Sequence, residues 1–189
     1  ARFHQGAVAE ARADYEQALA MRIAALGPDH RDVGTSHNNL GGLLMDIGDD
    51  AGAEQHLEAA LRIYEHALGT DHGDLAIPLS NLGELATRRR DFTRALALCT
   101  RARALDEASA PDDPKVAYDL VCIGEAELGR GRPAAALAPL ERALHLREGS
   151  EGDVVELART RFDLARALWK TGQDRARARE GWPGDGDCR

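Results

Sequence analysis

Small and large apolar residues recur along this chain with two periods at once. The short period is helical. Ala11, Tyr15 and Ala18 stand at i, i+4 and i+7, one face of an α-helix. The trio returns as Ala53, Leu57 and Ala60, then as Ala95, Cys99 and Ala102, then as Ala136, Leu140 and Ala143. The long period is the distance between trios: 42, 42 and 41 residues. A second motif, large then small, recurs at spacings of 42, 41 and 41 at Leu40-Gly41, Leu82-Gly83, Ile123-Gly124 and Leu164-Ala165. Between the motifs lies a turn position held by Gly6, Gly48, Arg90, Gly131 and Gly172. Glycine there supplies the left-handed residue that ends a helix. Arg90 breaks the pattern, which predicts a turn built differently or under strain.

Each unit therefore reads as an A helix, a tight turn, a B helix and a longer loop. The pattern predicts A helices over about 31–47, 73–89, 114–129 and 154–170, and B helices over about 7–26, 50–68, 92–108 and 133–148. The loops carry helix-start signals. Asp113-Pro114 reads as an N-cap followed by proline at the first helical position. His30-Arg31-Asp32 and His72-Gly73-Asp74 occupy the same place, with an acid in the first turn to complement the helix dipole. Repetition in equivalent loops explains the Asp29-His30-x-Asp32 and Asp71-His72-x-Asp74 clusters as caps, so no metal site is read from them.

Those registers resemble the tetratricopeptide repeat (TPR) family. The units of about 42 residues, with loops such as Leu26-Gly27-Pro28-Asp29-His30-Arg31-Asp32-Val33, are similar to the longer variety of kinesin light chains and bacterial signalling proteins. Asn38-Asn39-Leu40 and Ser80-Asn81-Leu82 match the Asn-Leu signature of that variety. Cys122 and Asp163 replace the signature Asn in the later repeats. The resemblance implies an all-α fold, a right-handed α-solenoid of antiparallel helix pairs. It would span residues 1–180 as a partial first repeat, three complete repeats and a partial last one. Residues 181–189 read as a flexible tail. With no initiating Met, and an opening in the end of an A helix, the sequence reads as a piece of a longer protein. The A helix that would cover the first B helix is missing, so Tyr15 and Leu19 are expected to lack a covering partner and to favour self-association at that end.

Composition narrows the chemistry. Ala and Leu make up 58 of 189 residues, which favours helices over a β-sandwich. The net charge of −8 disfavours nucleic-acid binding. No apolar run approaches the roughly 20 residues of a membrane span, and no signal peptide opens the chain, so the expected location is cytoplasmic. Cys99, Cys122 and Cys188 form no CxxC pair, and their odd number suggests no disulfide framework. Cys99 reads as a buried small hydrophobe and Cys122 as more exposed. His37, His56, His66 and His145 stand at no ligand spacing. No Walker loop, GxSxG or HExxH motif is present. The sequence is read as non-catalytic, with no cofactor and no metal.

In the family the A helices line a concave groove. Carried onto this sequence, that lining is Thr35, Asn38, Asn39, Gly42, Met45 and Asp46 in the first complete repeat. It continues with Ile77, Ser80, Asn81, Glu84, Thr87 and Arg88, then Tyr118, Val121, Cys122, Glu125, Leu128 and Gly129. Arg159, Phe162, Asp163, Arg166, Trp169 and Lys170 close it. The foremost partner-binding candidates are Asn38, Asn39, Ile77, Asn81, Glu84, Tyr118, Arg159, Phe162, Arg166 and Trp169. Asn39 and Asn81 carry amides that bond either an extended peptide backbone or a neighbouring helix. Phe162 and Trp169 read either as interface anchors or as packing on the next B helix. The expected ligand is a protein or peptide, with an acidic segment facing Arg159, Arg166 and Lys170. The alternative is a structural module that self-associates or packs within a larger protein.

Overall fold

Three-residue turns joining antiparallel helices set the architecture, and the computed structural model describes it over residues 2–148 and 154–180. The described residues form nine α-helices and no strand. They fall into two units, residues 1–85 and 86–189. The expected tail, 181–189, lies outside the described residues.

The first unit holds α1 (Arg2–Leu26), α2 (Arg31–Asp46), α3 (Asp50–Leu68), a 3-10 turn (Gly73–Leu75) and most of α4 (Ala76–Arg88). The second holds α5 (Phe92–Ser109), α6 (Val116–Gly129), α7 (Pro133–Glu148), α8 (Val154–Thr171) and α9 (Arg175–Glu180). Most boundaries fall close to the predicted ones. The A helix expected from 73 opens instead as a 3-10 turn, with Leu75 N–H donating to the His72 carbonyl at 3.1 Å. Pro78 explains the delay, because it has no N–H to donate to the carbonyl of Asp74. The A helix expected from 114 also opens with short-range bonds, Asp113 accepting from Lys115 N–H at 2.8 Å before α6 begins at Val116.

The turn after each A helix is one repeated device. Gly48 has φ 80°, its N–H donates to Met45 O, and Asp49 N–H donates to Leu44 O. This pair of bonds satisfies two carbonyls orphaned at the helix end. Asp49 then caps α3 by accepting from Gly52 N–H at 3.0 Å. Asp91 and Asp174 cap α5 and α9 in the same way. At Arg90 the turn keeps the same form: φ is 62°, Arg90 N–H meets Thr87 O, and Asp91 N–H meets Ala86 O. An L-residue pays about 1–2 kcal/mol to sit there, whereas glycine does not. Arg90→Gly is therefore expected to stabilise the chain by roughly 0.5–1 kcal/mol after glycine's greater unfolded-state freedom is counted. Urea unfolding checks this; a lowered midpoint would contradict it.

The core follows the small-large-small register. Ala53, Leu57, Ala60, Ala95, Cys99, Ala102, Ala136, Leu140 and Ala143 are all fully buried. The large-small motif explains how the A helices come so close. A Cβ on Gly41 would stand 2.7 Å from Leu57 Cγ, and one on Gly124 would stand 2.5 Å from Leu140 Cγ. These glycines are demanded by packing, since neither has a positive φ.

Four expectations are corrected. Gly6 is no turn, because α1 runs through it from Arg2. Leu19 is buried, while its neighbours Tyr15 (39% exposed) and Ala18 remain open. Cys99 and Cys122 are joined in a disulfide. Cys122 is buried rather than exposed. Both cysteines sit at helix-face positions that α5 and α6 bring together in their antiparallel packing, a relation that linear spacing does not reveal.

Candidate functional site

The helix-start residues fix where each A helix begins. His30 Nδ1 accepts from Asp32 N–H at 3.1 Å, and His72 Nδ1 does the same for Asp74. Both imidazoles thus serve as N-caps. Among the described residues no group of three or more His, Cys, Asp or Glu side chains is assembled as a metal site. Arg31 at the start of α2 binds Asp74 at 2.6 Å, which sets the starts of the first two complete A helices side by side.

In the first unit the candidates lie in a half-exposed row. Asn39 and Ile77 are exposed, Ile77 at 55%. Asn38, Asn81 and Glu84 are half-buried, as is Thr35, whose hydroxyl accepts from Tyr64 at 3.0 Å. No atom would lie within 4 Å of a Cβ on Gly42, so the face is open there. Met45, by contrast, is buried in the core and leaves the expected lining.

The second unit's face is of another character. Tyr118 is 53% exposed, and the guanidinium of Arg147 sits 4.7 Å from its ring centroid. Arg147 is itself buried and donates to Glu156 and Thr160, each at 2.9 Å. Arg159 grips Glu125 through both carboxylate oxygens, at 2.8 and 3.0 Å. Arg166 donates to the buried Asp163 at 2.9 Å, with its guanidinium 5.7 Å from the Phe162 ring. Two of the three cations expected to draw an acidic partner, Arg159 and Arg166, are thus matched by carboxylates of their own face. Burial, and secondarily Asp163, push the Glu125 carboxyl above its usual range, while Arg159 pulls it back. Trp169 packs against the core cluster of the unit and lies under Arg175, at 5.5 Å. Val121, Cys122 and Leu128 are buried, so they too leave the expected lining.

A pair that spacing missed is His37 and His56, which meet across α2 and α3 with their Nδ1 atoms 2.9 Å apart. At that distance one ring donates and the other accepts. Burial first, then His56 and Arg62, lower the pKa of His37 to about 4. Burial also lowers that of His56, with Arg12 lowering it further and Glu16 and Asp49 opposing. Both rings would protonate near pH 6.5 in the unfolded chain, and the fold opposes protonation of each. The contribution of His37 is whole above pH 6.5 and is lost as pH falls toward 4, and that of His56 falls in the same direction. The melting temperature should drop over that window, and drop less in a His37→Asn, His56→Asn variant. Parallel pH profiles of variant and parent would refute this.

The comparisons with known proteins agree with this architecture. A tetratricopeptide repeat model matches residues 1–66, 32–108 and 74–149 in overlapping spans. The chain belongs to the tetratricopeptide repeat family. Among solved structures, BtubC (BKLC) from P. vanneervenii superposes with a TM-score of 0.82 at 23% identity, over 95% of this chain and 72% of that one. A Podosopora anserina kinesin light chain-like protein with nearly identical TPR-like repeats gives 0.74 at 20% identity, over 94% and 85%. MamA from Desulfovibrio magneticus RS-1 gives 0.59 at 14% identity, over 90% of each chain. At these identities the likeness fixes the fold, an all-α solenoid of TPR helix pairs of the kinesin light chain-like kind. No curated protein matches the chain. TPR proteins are in general scaffolds for protein–protein interaction and not catalysts. No described helix is long and apolar enough to cross a membrane.

Proposed function

We propose that this TPR chain is a non-catalytic interaction module that holds an extended peptide, or a segment of a partner protein, along its A-helix face. In this reading it is the regulatory part of a larger bacterial signalling protein. One observation carries the proposal: Asn39 and Asn81 repeat at one register on the partly open face of α2 and α4, beside the exposed Ile77. An amide both donates and accepts, so it can bond a peptide backbone whatever the side chains. Phage-displayed random peptides selected against the chain should enrich binders. A double Asn39→Ala, Asn81→Ala variant should weaken them by at least about tenfold, the equivalent of roughly 1.4 kcal/mol. Peptides that bind parent and variant equally would remove the proposal.

A second reading, self-association, has its own support. Tyr15 and Ala18 are exposed on α1, although the same register is fully buried in α3, α5 and α7. If that face joins two copies, sedimentation should show mass rising with concentration, and Tyr15→Asp should hold the chain monomeric.

A further inference from the structure

Near its end each B helix meets the opening turns of the next A helix, and one register recurs at these junctions. Arg22, Tyr64, Asp106 and Arg147 follow the 42, 42 and 41 spacing of the trios. Ser36, Pro78, Asp119 and Thr160 follow the 42, 41 and 41 spacing of the large-small motif. At the junction of α1 with α2, Arg22 donates to the Asp32 carbonyl at 3.3 Å and to the Ser36 hydroxyl at 2.7 Å. At the junction of α7 with α8, Arg147 donates to the equivalent carbonyl, that of Glu156, and to the Thr160 hydroxyl at 2.9 Å. The two junctions share one latch, an arginine on a carbonyl and a hydroxyl. The junction of α3 with α4 is built otherwise. Tyr64 donates to Thr35 of its own repeat, Pro78 offers no hydroxyl, and Arg31 holds Asp74.

The junction of α5 with α6 inverts the charges. Asp106 stands where the latch has its arginine, Lys115 where it has Glu156, and Asp119 where it has a hydroxyl. Asp119 is 1% exposed, and its carboxyl lies within hydrogen-bond reach of that of the half-buried Asp106. Two carboxyl groups in contact and out of water do not both ionise. Burial raises the Asp106 carboxyl above its usual range, and Asp113 adds to the rise, while Lys115 and the bond from Asp119 oppose it. A bond that favours the charged form of Asp106 is one that Asp106 accepts. From α7, Arg142 is engaged by Glu107 of α5, and Arg147 by Glu156.

We propose that Asp119 is a protonated carboxylic acid in the fold, donating to Asp106 in place of the hydroxyls of Ser36 and Thr160, so that the α5–α6 junction is a proton-dependent latch. The closed junction keeps one proton that the open junction gives up. Its hold is whole in acid and is lost as pH rises past the carboxyl range, opposite in sign to the His37–His56 pair. The Cys99–Cys122 bond ties the same two helices. What opens is therefore the connecting segment 106–119, while the helix pair stays joined.

Carbon-13 NMR of the parent chain tests the proton directly. At pH 5, where an ordinary aspartate is ionised, the Asp119 carboxyl should read as the neutral acid; an ionised Asp119 there would overturn the proposal. Hydrogen exchange of the whole chain, read by mass spectrometry, tests the latch. After correction for intrinsic rates, protection of residues 106–119 should fall by about tenfold or more between pH 5 and pH 8. Residues 154–160, held by Arg147, should keep theirs. In Asp119→Asn the side-chain amide donates to Asp106 at every pH, so the dependence should vanish and protection at pH 8 should exceed the parent's. Asp106→Asn, whose amide donates to an ionised Asp119, should lose the dependence too. Melting curves confirm that the variants are folded. Protection at 106–119 that ignores pH in the parent would overturn the latch. So would a dependence retained by the folded variants, or an equal loss at 154–160.

Discussion

Loss of the Cys99–Cys122 bond is expected to cost the second unit about 2–4 kcal/mol, the usual range for a cross-link that closes a loop of this size. The two cysteines are 23 residues apart and tie α5 to α6. Cys99 is fully buried and Cys122 nearly so, so a reductant reaches them only when the unit opens. A mild thiol should therefore leave the native chain oxidised, while urea plus thiol should shift the unfolding midpoint down. A Cys99→Ala, Cys122→Ala variant should unfold where the reduced parent does, whether or not thiol is present. A midpoint that ignores reductant would show that the cross-link contributes nothing.

The next largest effect is expected from one methyl group. In Gly124→Ala the new Cβ would lie 2.5 to 3.0 Å from three side-chain atoms of Leu140. That is overpacking of a closed site, typically worth about 1–3 kcal/mol of destabilisation. The same substitution at Gly42 meets nothing within 4 Å. There the ordinary preference of a helix for alanine should act alone, giving about 0.5–1 kcal/mol of stabilisation. Opposite signs from identical chemistry would confirm that the large-small motif is a contact between helices. Equal shifts of the two melting temperatures would refute it.

The helices were legible because the repeat states each of them four times. The trio from Ala53 to Ala60 and the capping His30 and His72 speak through local spacing, and local spacing is what a helix obeys. Arg90 was legible as an anomaly, and the structure shows the anomaly absorbed as left-handed backbone. Contacts between helices were not legible. Cys99 meets Cys122, His37 meets His56 and Arg159 meets Glu125 across separations of 23, 19 and 34 residues that a helical period does not mark. The repeat register could have offered the first: Leu57 and Asn81, or Leu140 and Asp163, stand in the same relation as Cys99 and Cys122. The groove lining was only partly legible, since family positions do not say which side chains turn inward. Met45, Val121 and Leu128 did.

On the groove reading proposed above, the disulfide also limits how long a message this chain would read. In the second unit the sequence register of the signature asparagine is held by Cys122, which is committed to Cys99, and by Asp163, which is buried with its charge met by Arg166. On the proposed reading, the two signature amides left to grip a backbone are Asn39 and Asn81. Packed helices lie roughly 10 Å apart, and an extended chain advances about 3.3 Å per residue, so the two amides span about three residues. If the proposed groove reading holds, a segment recognised there would be a short linear motif of about half a dozen residues. Motifs of that length recur by chance in many proteins, so selectivity among them must come from the side chains beside the two amides.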